Sequence, residues 1–387
     1  MATAKIPLSR NNIFAHINKL VEEHNALNVA LPSSDIVCPD ELINLVQKYM
    51  KEGVNNVAPL NGVAPLRRQI TQSINSEYGA NYDEESEITI STGTIQSIAT
   101  AINTFIKEGD EVIVFEPSIE SFIPPIEGNG GRARFIGLKA PHFQIEWEEV
   151  KKMISTKTRM IILNSPQNPT GRVMSDDDIK SLIKLTNGTN IIIVGNESFE
   201  KIVFDTEKHH SFAQYEQLKS RTLIVSDFGP VFRINGWGIS YVLGPEKLIK
   251  EYVKAQSYNG QSTNTPAQLA LAEYLSSYKD NGDLSEMYQG KRNYFLRLIK
   301  DSAFEFVPCK GTYYQILDYS KISNEPDVDF VERLIKDYGV ATIPVSVFQH
   351  EKNRKSHLIR ICFAKPNDIL DQLADKLNSV TATVETI

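Results

Sequence analysis

The chain has 387 residues, of which 41% are hydrophobic and 23% charged, with a formal net charge of -7 at pH 7. This is more chain than one hydrophobic core usually organises, so we expect a large domain and a smaller second one. The composition is that of an ordinary globular protein with little disorder. The acidic balance argues against a nucleic-acid partner, because no basic field awaits a phosphate backbone.

Three cysteines, Cys38, Cys309 and Cys362, are widely separated and form no CxxC pair. This pattern argues against a metal site or a disulfide framework and favours a reducing cytoplasm. The first residues lack the apolar region of a signal peptide, and no apolar run approaches the roughly 18 to 20 residues that cross a bilayer. We therefore expect a cytoplasmic protein without a membrane partner.

The elements in chain order begin with a short strand at 88–91, which runs into Gly93 and a helix of apolar periodicity over 95–106. Continuous β-branched runs ended by turn residues then predict strands at 111–117, 160–164, 191–196, 223–227 and 239–244. Such runs are typical of parallel strands buried on both faces. The alternation predicts an α/β fold with a mostly parallel sheet between helices, in which ligands bind beyond the carboxyl ends of the strands.

From about residue 286 the pattern changes to a charged helix, apolar stretches and a final helix, which predicts a smaller α+β domain. We expect an N-terminal segment, 1–45, that packs on this small domain. The large domain then covers 46–280 and the small domain 281–387.

Six segments carry a resemblance to a known family: NSPQNPTGRV (164–173), NESFE (196–200), FGPVFRINGWGISYVLGP (228–245), STNTPAQLALAEYL (262–275), GTYY (311–314) and IRICFAKP (359–366). In this order they resemble fold-type I pyridoxal-phosphate aminotransferases of class I/II, in particular the methionine or kynurenine type. The resemblance implies a seven-stranded-type sheet, pyridoxal phosphate as cofactor, an amino acid or other small carboxylate as ligand, and a homodimer.

The family's Schiff-base lysine lies six residues before a Gly-Trp pair. Counting back six from Gly236 lands on Pro230, and the segment 221–246 contains no lysine. The resemblance therefore predicts that this lysine is absent, and it leaves the catalytic residue unknown. Pro230 could be natural or engineered.

Other cofactor-facing positions of the family also differ. Asn196 matches the aspartate that keeps the cofactor's ring nitrogen protonated, and Phe199 matches a tyrosine that bonds its phenolic oxygen. Ile119 matches the aromatic residue that stacks on the ring. An amide supplies no negative charge and an isoleucine no aromatic face, so we expect weaker support for the ring.

The phosphate-facing positions differ in charge. Asp227 matches a serine and Gly238 a basic residue, while Val57 matches a tyrosine that reaches across from the partner subunit. A glycine whose amide contacts the substrate carboxylate falls near Pro32, which has no N–H. Because these changes remove attraction and add repulsion, we expect binding of the phosphate cofactor to be weak.

Some matches remain. Asn168 occupies the position that bonds the cofactor's phenolic oxygen, and Arg360 that of the clamp for the substrate carboxylate, a role that a planar guanidinium suits. Gly93 and Thr94 open a helix where the phosphate meets backbone amides. Each also has a plain structural interpretation, as a turn cap, an internal ion pair or a bend.

Four basic residues are candidates to substitute for the lysine. His209 and His210 lie in the polar segment DTEKHHSF and are expected to be solvated, and Lys201 and Lys254 are expected on the surface.

The main hypothesis is an aminotransferase scaffold that no longer performs standard transamination, with a binding role as a pseudoenzyme or new chemistry on a small carboxylate. The new chemistry could use Asp35, Cys38, Asp227 or Tyr313 near Arg360. The alternative is an enzyme that handles a pyridoxal or pyridoxamine form with an amino acid or keto acid, without a covalent lysine. Asn168 and Asn196 would then hold the ring and Arg360 the carboxylate.

Overall fold

The computed structural model describes residues 13–31, 36–259, 262–350 and 356–381. Its strands are β1 (Leu27–Asn28), β2 (Ile88–Ser91), β3 (Glu111–Glu116), β4 (Arg132–Gly137), β5 (Thr158–Asn164), β6 (Ile192–Asn196), β7 (Thr222–Asp227), β8 (Ser240–Leu243), β9 (Tyr314–Asp318), β10 (Val340–Ala341), β11 (Ile343–Pro344) and β12 (Leu358–Cys362). Its α-helices are α1 (Ile13–His24), α2 (Asp40–Lys51), α3 (Ala64–Tyr78), α4 (Thr94–Phe105), α5 (Ile123–Gly128), α6 (Trp147–Met153), α7 (Asp176–Thr186), α8 (Glu216–Lys219), α9 (Phe228–Phe232), α10 (Glu246–Asn259), α11 (Thr265–Ser277), α12 (Asp283–Leu298), α13 (Asp327–Tyr338) and α14 (Asn367–Asn378).

Seven strands form one sheet in the order β2-β8-β7-β6-β5-β3-β4. β8 runs antiparallel to both of its neighbours, and all other neighbouring pairs are parallel. The predicted α/β fold with a mostly parallel sheet between helices is therefore confirmed. The edge strand β4 was missed, because its half-exposed sequence RARFIG has no continuous apolar run.

Both faces of the sheet are covered. On one face Leu223 and Val225 of β7 pack with residues of α4 and α10, including Ile98 and Ile249. On the other face Ile224 packs with residues of α3, α7 and α11. Because successive strand residues point to opposite faces, a strand buried on both faces is mostly apolar, as β7 is from Leu223 to Val225.

The remaining strands form a separate core. β11, β12 and β9 make an antiparallel sheet, and β1 pairs with β10. A third apolar cluster joins these strands to α12, α13 and α14. The charged helix predicted from about residue 286 is α12, which begins slightly earlier, at Asp283. The domain boundaries given above stay a prediction.

No helix in the described part of the chain is long and apolar enough to cross a bilayer.

The carboxyl ends of the parallel strands meet at one edge of the large sheet. β5 ends at Asn164, β6 at Asn196 and β7 at Asp227. β2 points the same way and leads through Gly93 into α4. This edge is where ligands bind in open α/β sheets, so it positions the candidate site.

Candidate functional site

The amino terminus of α4 lies at this edge. Gly93 has φ +72°, a left-handed conformation that favours glycine, and it lets the chain turn directly from β2 into the helix. Gly93 is the N-cap residue of α4, and it has no side chain that could cap the helix. The first N–H groups of a helix lack partners within the helix and attract anions. Here the acceptor is a carboxyl side chain at the end of β7.

The anion is the side chain of Asp227. Its Oδ1 accepts a hydrogen bond from the backbone N–H of Gly229 over 2.6 Å, which caps α9. Its Oδ2 lies 3.3 Å from the Thr94 hydroxyl, and the Thr94 backbone N–H also bonds the carboxyl group. Asp227 therefore occupies the donors at the start of two helices.

Asp227 and Thr94 belong to a longer hydrogen-bonded line. The Thr94 hydroxyl lies 3.0 Å from that of Ser198, whose Oγ lies 2.7 Å from Oδ1 of Asn196. Three contacts connect Asp227 to Asn196, but the hydroxyl groups of Thr94 and Ser198 have only two protons to donate. A protonated Asp227 supplies the third proton. Burial raises the pKa of Asp227, although hydrogen bonds from Gly229 and Thr94 oppose the rise. The geometry thus suits a carboxyl group that takes up a proton easily.

The first and last residues of the NESF motif, Asn196 and Phe199, face different surroundings. Asn196 is 3% exposed, and its Oδ1 accepts hydrogen bonds from both the backbone and the hydroxyl of Ser198. Phe199 is buried in the apolar cluster that includes α12, α13 and α14, and its ring lies edge-on to those of Tyr313 and Tyr314. Phe199 therefore contributes packing beneath the edge of the sheet.

Arg360 and Asn168 are in direct contact. Nη1 of Arg360 donates to Oδ1 of Asn168 over 2.9 Å, and Nη2 donates to the carbonyl of Ala30 over 3.0 Å. Nε is buried and has no partner. The guanidinium lies 4.3 Å from the ring centre of Tyr314 and 5.1 Å from that of Phe348.

Arg360 is 1% exposed, and among the described residues no carboxylate lies within ion-pair distance of it. Burial lowers its pKa, although Tyr314 and other neighbours raise it. A buried cation without a counter-ion is costly, so a carboxylate that approached Nε would be strongly favoured. The expected internal ion pair is not found in the described part of the chain.

Three further predicted positions lie in α9 or beside α4. Pro230 is buried within α9. Ile119 is half-buried and packs on the apolar cluster beside α4. Gly238 has φ +61° and faces Gly93, since a Cβ built on Gly93 would lie 4.0 Å from the Cα of Gly238.

The expectation of a solvated His209 is wrong. The His209 side chain is 6% exposed, and its Nε2 lies 3.1 Å from Oε2 of Glu197, which is 1% exposed. Burial alone would lower the pKa of His209, but the charge and hydrogen bond of Glu197 raise it on balance. His210 is also engaged, 3.2 Å from the Tyr215 hydroxyl. The polar sequence did not reveal this pair, because Glu197 lies twelve residues upstream, directly after β6.

Glu197, Glu200 and His209 place their ligand atoms within 4.8 Å of one another, as a metal site would. Hydrogen bonds already explain the group, because Glu197 accepts from His209 and from the backbone N–H of Phe212. We therefore assign this cluster a structural role.

Lys201 also differs from the expected surface residue. Its side chain is 19% exposed and is held by Glu77 at 2.5 Å and Asp280 at 3.5 Å. It borders a cavity of about 370 Å³ under α3, which is also lined by Asp227 and Glu200. Lys254, in contrast, is 63% exposed, as expected.

The residues considered for new chemistry do not share one environment. Cys38 lies near Arg233 and Asp40, whereas Tyr313 is buried against Phe199 and Tyr288. Asp35 and Pro32 lie outside the described residues.

Sequence reasoning missed two polar residues at the sheet edge. Ser198 joins Thr94 to Asn196, and its position within the NESF motif was the available signal. Asn164, which pairs with Asn196 at the ends of β5 and β6, has a buried Oδ1 without a partner.

Comparison with known proteins identifies the scaffold. Residues 28–377 match the family model of aminotransferase class I and II. A methionine aminotransferase from Escherichia coli is 35% identical over 378 residues, which cover 97% of this chain and 98% of the relative. A kynurenine–oxoglutarate transaminase from Dictyostelium discoideum is 27% identical, covering 95% of this chain and 93% of the relative.

A solved Escherichia coli structure, described as having a methionine aminotransferase function, superposes with a TM-score of 0.94 at 34% identity, covering 98% of this chain and 99% of the other. These full-length relatives overturn the main hypothesis of a pseudoenzyme or a repurposed scaffold, because proteins this similar are named as working transaminases. The chain belongs to the aminotransferase class I and II family, within fold type I.

Proposed function

We propose that this chain is an enzyme of amino acids or 2-keto acids that handles a pyridoxal or pyridoxamine form without a covalent lysine. The observation that carries the proposal is the unpartnered Nε of Arg360. In this proposal the substrate carboxylate binds Arg360, and the names of the relatives support the substrate class.

Arg360 suits this role because the rest of its guanidinium is already fixed. Asn168 and the Ala30 carbonyl hold Nη1 and Nη2, and the rings of Tyr314 and Phe348 enclose the group and limit the access of water. A preorganised and desolvated cation binds a carboxylate more strongly than a flexible one in water. The methionine aminotransferase relative makes methionine a reasonable probe.

The family implies pyridoxal phosphate, and the two ends of the cleft fit it differently. Asn168 and Asn196 offer amide groups near the ring position, and Asn164 adds an unpartnered acceptor. At the helix terminus, however, Asp227 already takes the donors that a phosphate would need. The phosphate end therefore does not fit, and the proposal covers binding of the ring and of the carboxylate.

We also propose that no lysine bonds the ring covalently. Pro230 stands at the position that the resemblance assigns to the lysine. Lys201 borders the same cavity as Asp227, but two carboxylates hold its ammonium group, and a charged amine is not a nucleophile.

A homodimer and a cytoplasmic location belong to the same proposal. Val57, Ile95 and Tyr258 expose 62%, 51% and 90% of their surface, which supports a contact with a second copy. The free thiols of Cys38 and Cys309 support a reducing compartment. Light scattering after size exclusion should give twice the chain mass of 43.5 kDa.

The deciding experiment measures binding of methionine and methioninol by calorimetry in the presence of pyridoxal. Methioninol lacks the carboxylate, so it isolates the Arg360 contact. We expect methionine to bind and Arg360→Lys to weaken it by about tenfold or more, because a lysine cannot reproduce the planar fork. Methioninol should bind equally weakly to both proteins. Equal binding of methionine by the wild type and the variant would contradict the proposal.

A further inference from the structure

We propose that the Asp227 side chain takes the place of a ligand phosphate in this cleft, so that the ring bound here is an unphosphorylated pyridoxal or pyridoxamine. This inference rests on the proposed function and names the form of the ring that it uses. It is argued from the contacts of Asp227.

The hydrogen-bond donors at the amino terminus of α4 are already occupied. The free N–H groups at a helix amino terminus are a ready-made anion site. At α4 the Asp227 carboxyl group bonds both the backbone N–H and the hydroxyl of Thr94. Its other oxygen accepts from Gly229 over 2.6 Å, at the start of α9. A phosphate would have to displace these hydrogen bonds before it could form its own.

The charges around Asp227 also disfavour a phosphate. A phosphate ester is dianionic near neutral pH, and sites that bind it tightly supply cations. Gly238, the residue that faces Gly93 across the start of α4, has no side chain. Among the described residues, no lysine or arginine nitrogen lies within 4.0 Å of a carboxyl oxygen of Asp227. An ionised Asp227 repels a second anion, and a protonated one still blocks the donors.

The contacts of Asp227 are also part of the fold itself. Asp227 caps α9, and the line through Thr94 and Ser198 ties it to Asn196 at the end of β6. Its position therefore depends on four segments of the fold, and a ligand phosphate cannot move it aside without breaking several hydrogen bonds.

The test compares pyridoxamine with pyridoxamine 5′-phosphate by calorimetry on the full chain. We expect the wild type to prefer pyridoxamine by about tenfold or more, the size of one charged hydrogen bond. Asp227→Ser keeps a side chain that caps helices well and should reverse the order. Asp227→Asn removes only the charge and should reduce the preference; it also serves if the serine variant fails to fold. Asp177→Ser, at a side chain 93% exposed, is the matched control and should behave as the wild type.

Tighter binding of the phosphate form by the wild type, or an unchanged ratio in both Asp227 variants, would overturn the inference while leaving the proposed function intact. If neither ring binds the wild type, the proposed function fails. Inorganic phosphate then decides the inference separately. If inorganic phosphate binds an Asp227 variant but not the wild type, the exclusion of phosphate by Asp227 is upheld. If it binds the wild type and the variants alike, or none of them, the inference is overturned.

Discussion

Nη1 of Arg360 donates to Oδ1 of Asn168 over 2.9 Å, a contact between residues 192 positions apart. The contact joins β12 of the smaller core to the loop after β5 of the large sheet. It orients a buried cation by a neutral acceptor, which leaves the positive charge available for a ligand. A charged residue at position 168 would change that.

Asn168→Asp should therefore weaken methionine binding by about tenfold or more, because the new carboxylate neutralises Arg360. The thermal midpoint should not fall, since the buried cation gains a counter-ion. Asn168→Ala is the control: it loses a charged hydrogen bond and should lower stability by about 1.5–3 kcal/mol. Calorimetry and thermal denaturation measure both effects, and an Asp variant that binds methionine like the wild type would count against the role of Arg360.

Pro230→Lys tests the proposal that position 230 is the one that carries the Schiff-base lysine in the family. With pyridoxal and borohydride, the introduced amine should yield a reduced adduct, mapped by mass spectrometry to the peptide that spans position 230. The wild type should give none within 221–246, which contains no lysine. Gly236→Lys, six positions further along the chain and with open space around it, is the control. Comparable labelling of the two variants would argue that position 230 does not face the ring.

Gly238→Arg should raise affinity for pyridoxamine 5′-phosphate about tenfold, because it supplies a cation near the start of α4. There is room for a Cβ, whose nearest contact would be Cγ2 of Thr92 at 3.8 Å. The positive φ of 61° should cost about 1–2 kcal/mol of stability. Gly236→Arg, two residues away with open space around it, is the control. No gain from Gly238→Arg would show that this position lies outside the reach of the phosphate.

Glu200 should make stability depend on pH. Burial raises its pKa from 4.5 to about 7. Between these values the folded chain holds a proton that the unfolded chain has released, so the free energy of unfolding falls as pH rises. For one group the slope is about 1.4 kcal/mol per pH unit. The surrounding charged groups are Lys201, Glu197, His209 and Glu77.

Urea denaturation from pH 5 to 8 should accordingly show a shallower decline for Glu200→Gln than for the wild type. Glu251→Gln, at a side chain 48% exposed, should leave the slope unchanged. If Glu200→Gln and the wild type decline in parallel, Glu200 is ionised throughout this range.

His209→Ala should destabilise the chain by about 3–5 kcal/mol, because Glu197 is then left buried without its charged partner. His210→Ala removes a single contact to the Tyr215 hydroxyl and should cost about 1 kcal/mol. Urea denaturation compares the two directly. Similar costs for the neighbouring histidines would mean that the Glu197 pair contributes little.

The sequence predicted the fold well because most strands of the large sheet are recognisable from their local sequence. Continuous β-branched runs located β3, β5, β6, β7 and β8 almost to the residue. β4 escaped because an edge strand alternates charged and apolar residues and buries little. Pairing with β3 supplies its hydrogen bonds, and that long-range contact is invisible in a local pattern.

The candidate site was predictable residue by residue but not as a network. The resemblance placed Asp227 and Asn196 at strand ends and Thr94 at the start of a helix, yet nothing in the sequence linked them through Ser198. His209 was misjudged for the same reason, since its burial comes from Glu197 on another element. Side-chain contacts across elements depend on tertiary packing, whereas strand ends follow from local composition.

The cap that Asp227 forms on α9 makes it a tethered ligand of α4. A tethered group has a high effective concentration at its own site, set by the chain and independent of the surrounding solution. A free anion must compete with it at every concentration, and the carboxylate returns as soon as the competitor leaves. The occupancy of this helix terminus is thus set by folding, and it should respond little to the phosphate concentration of the solution.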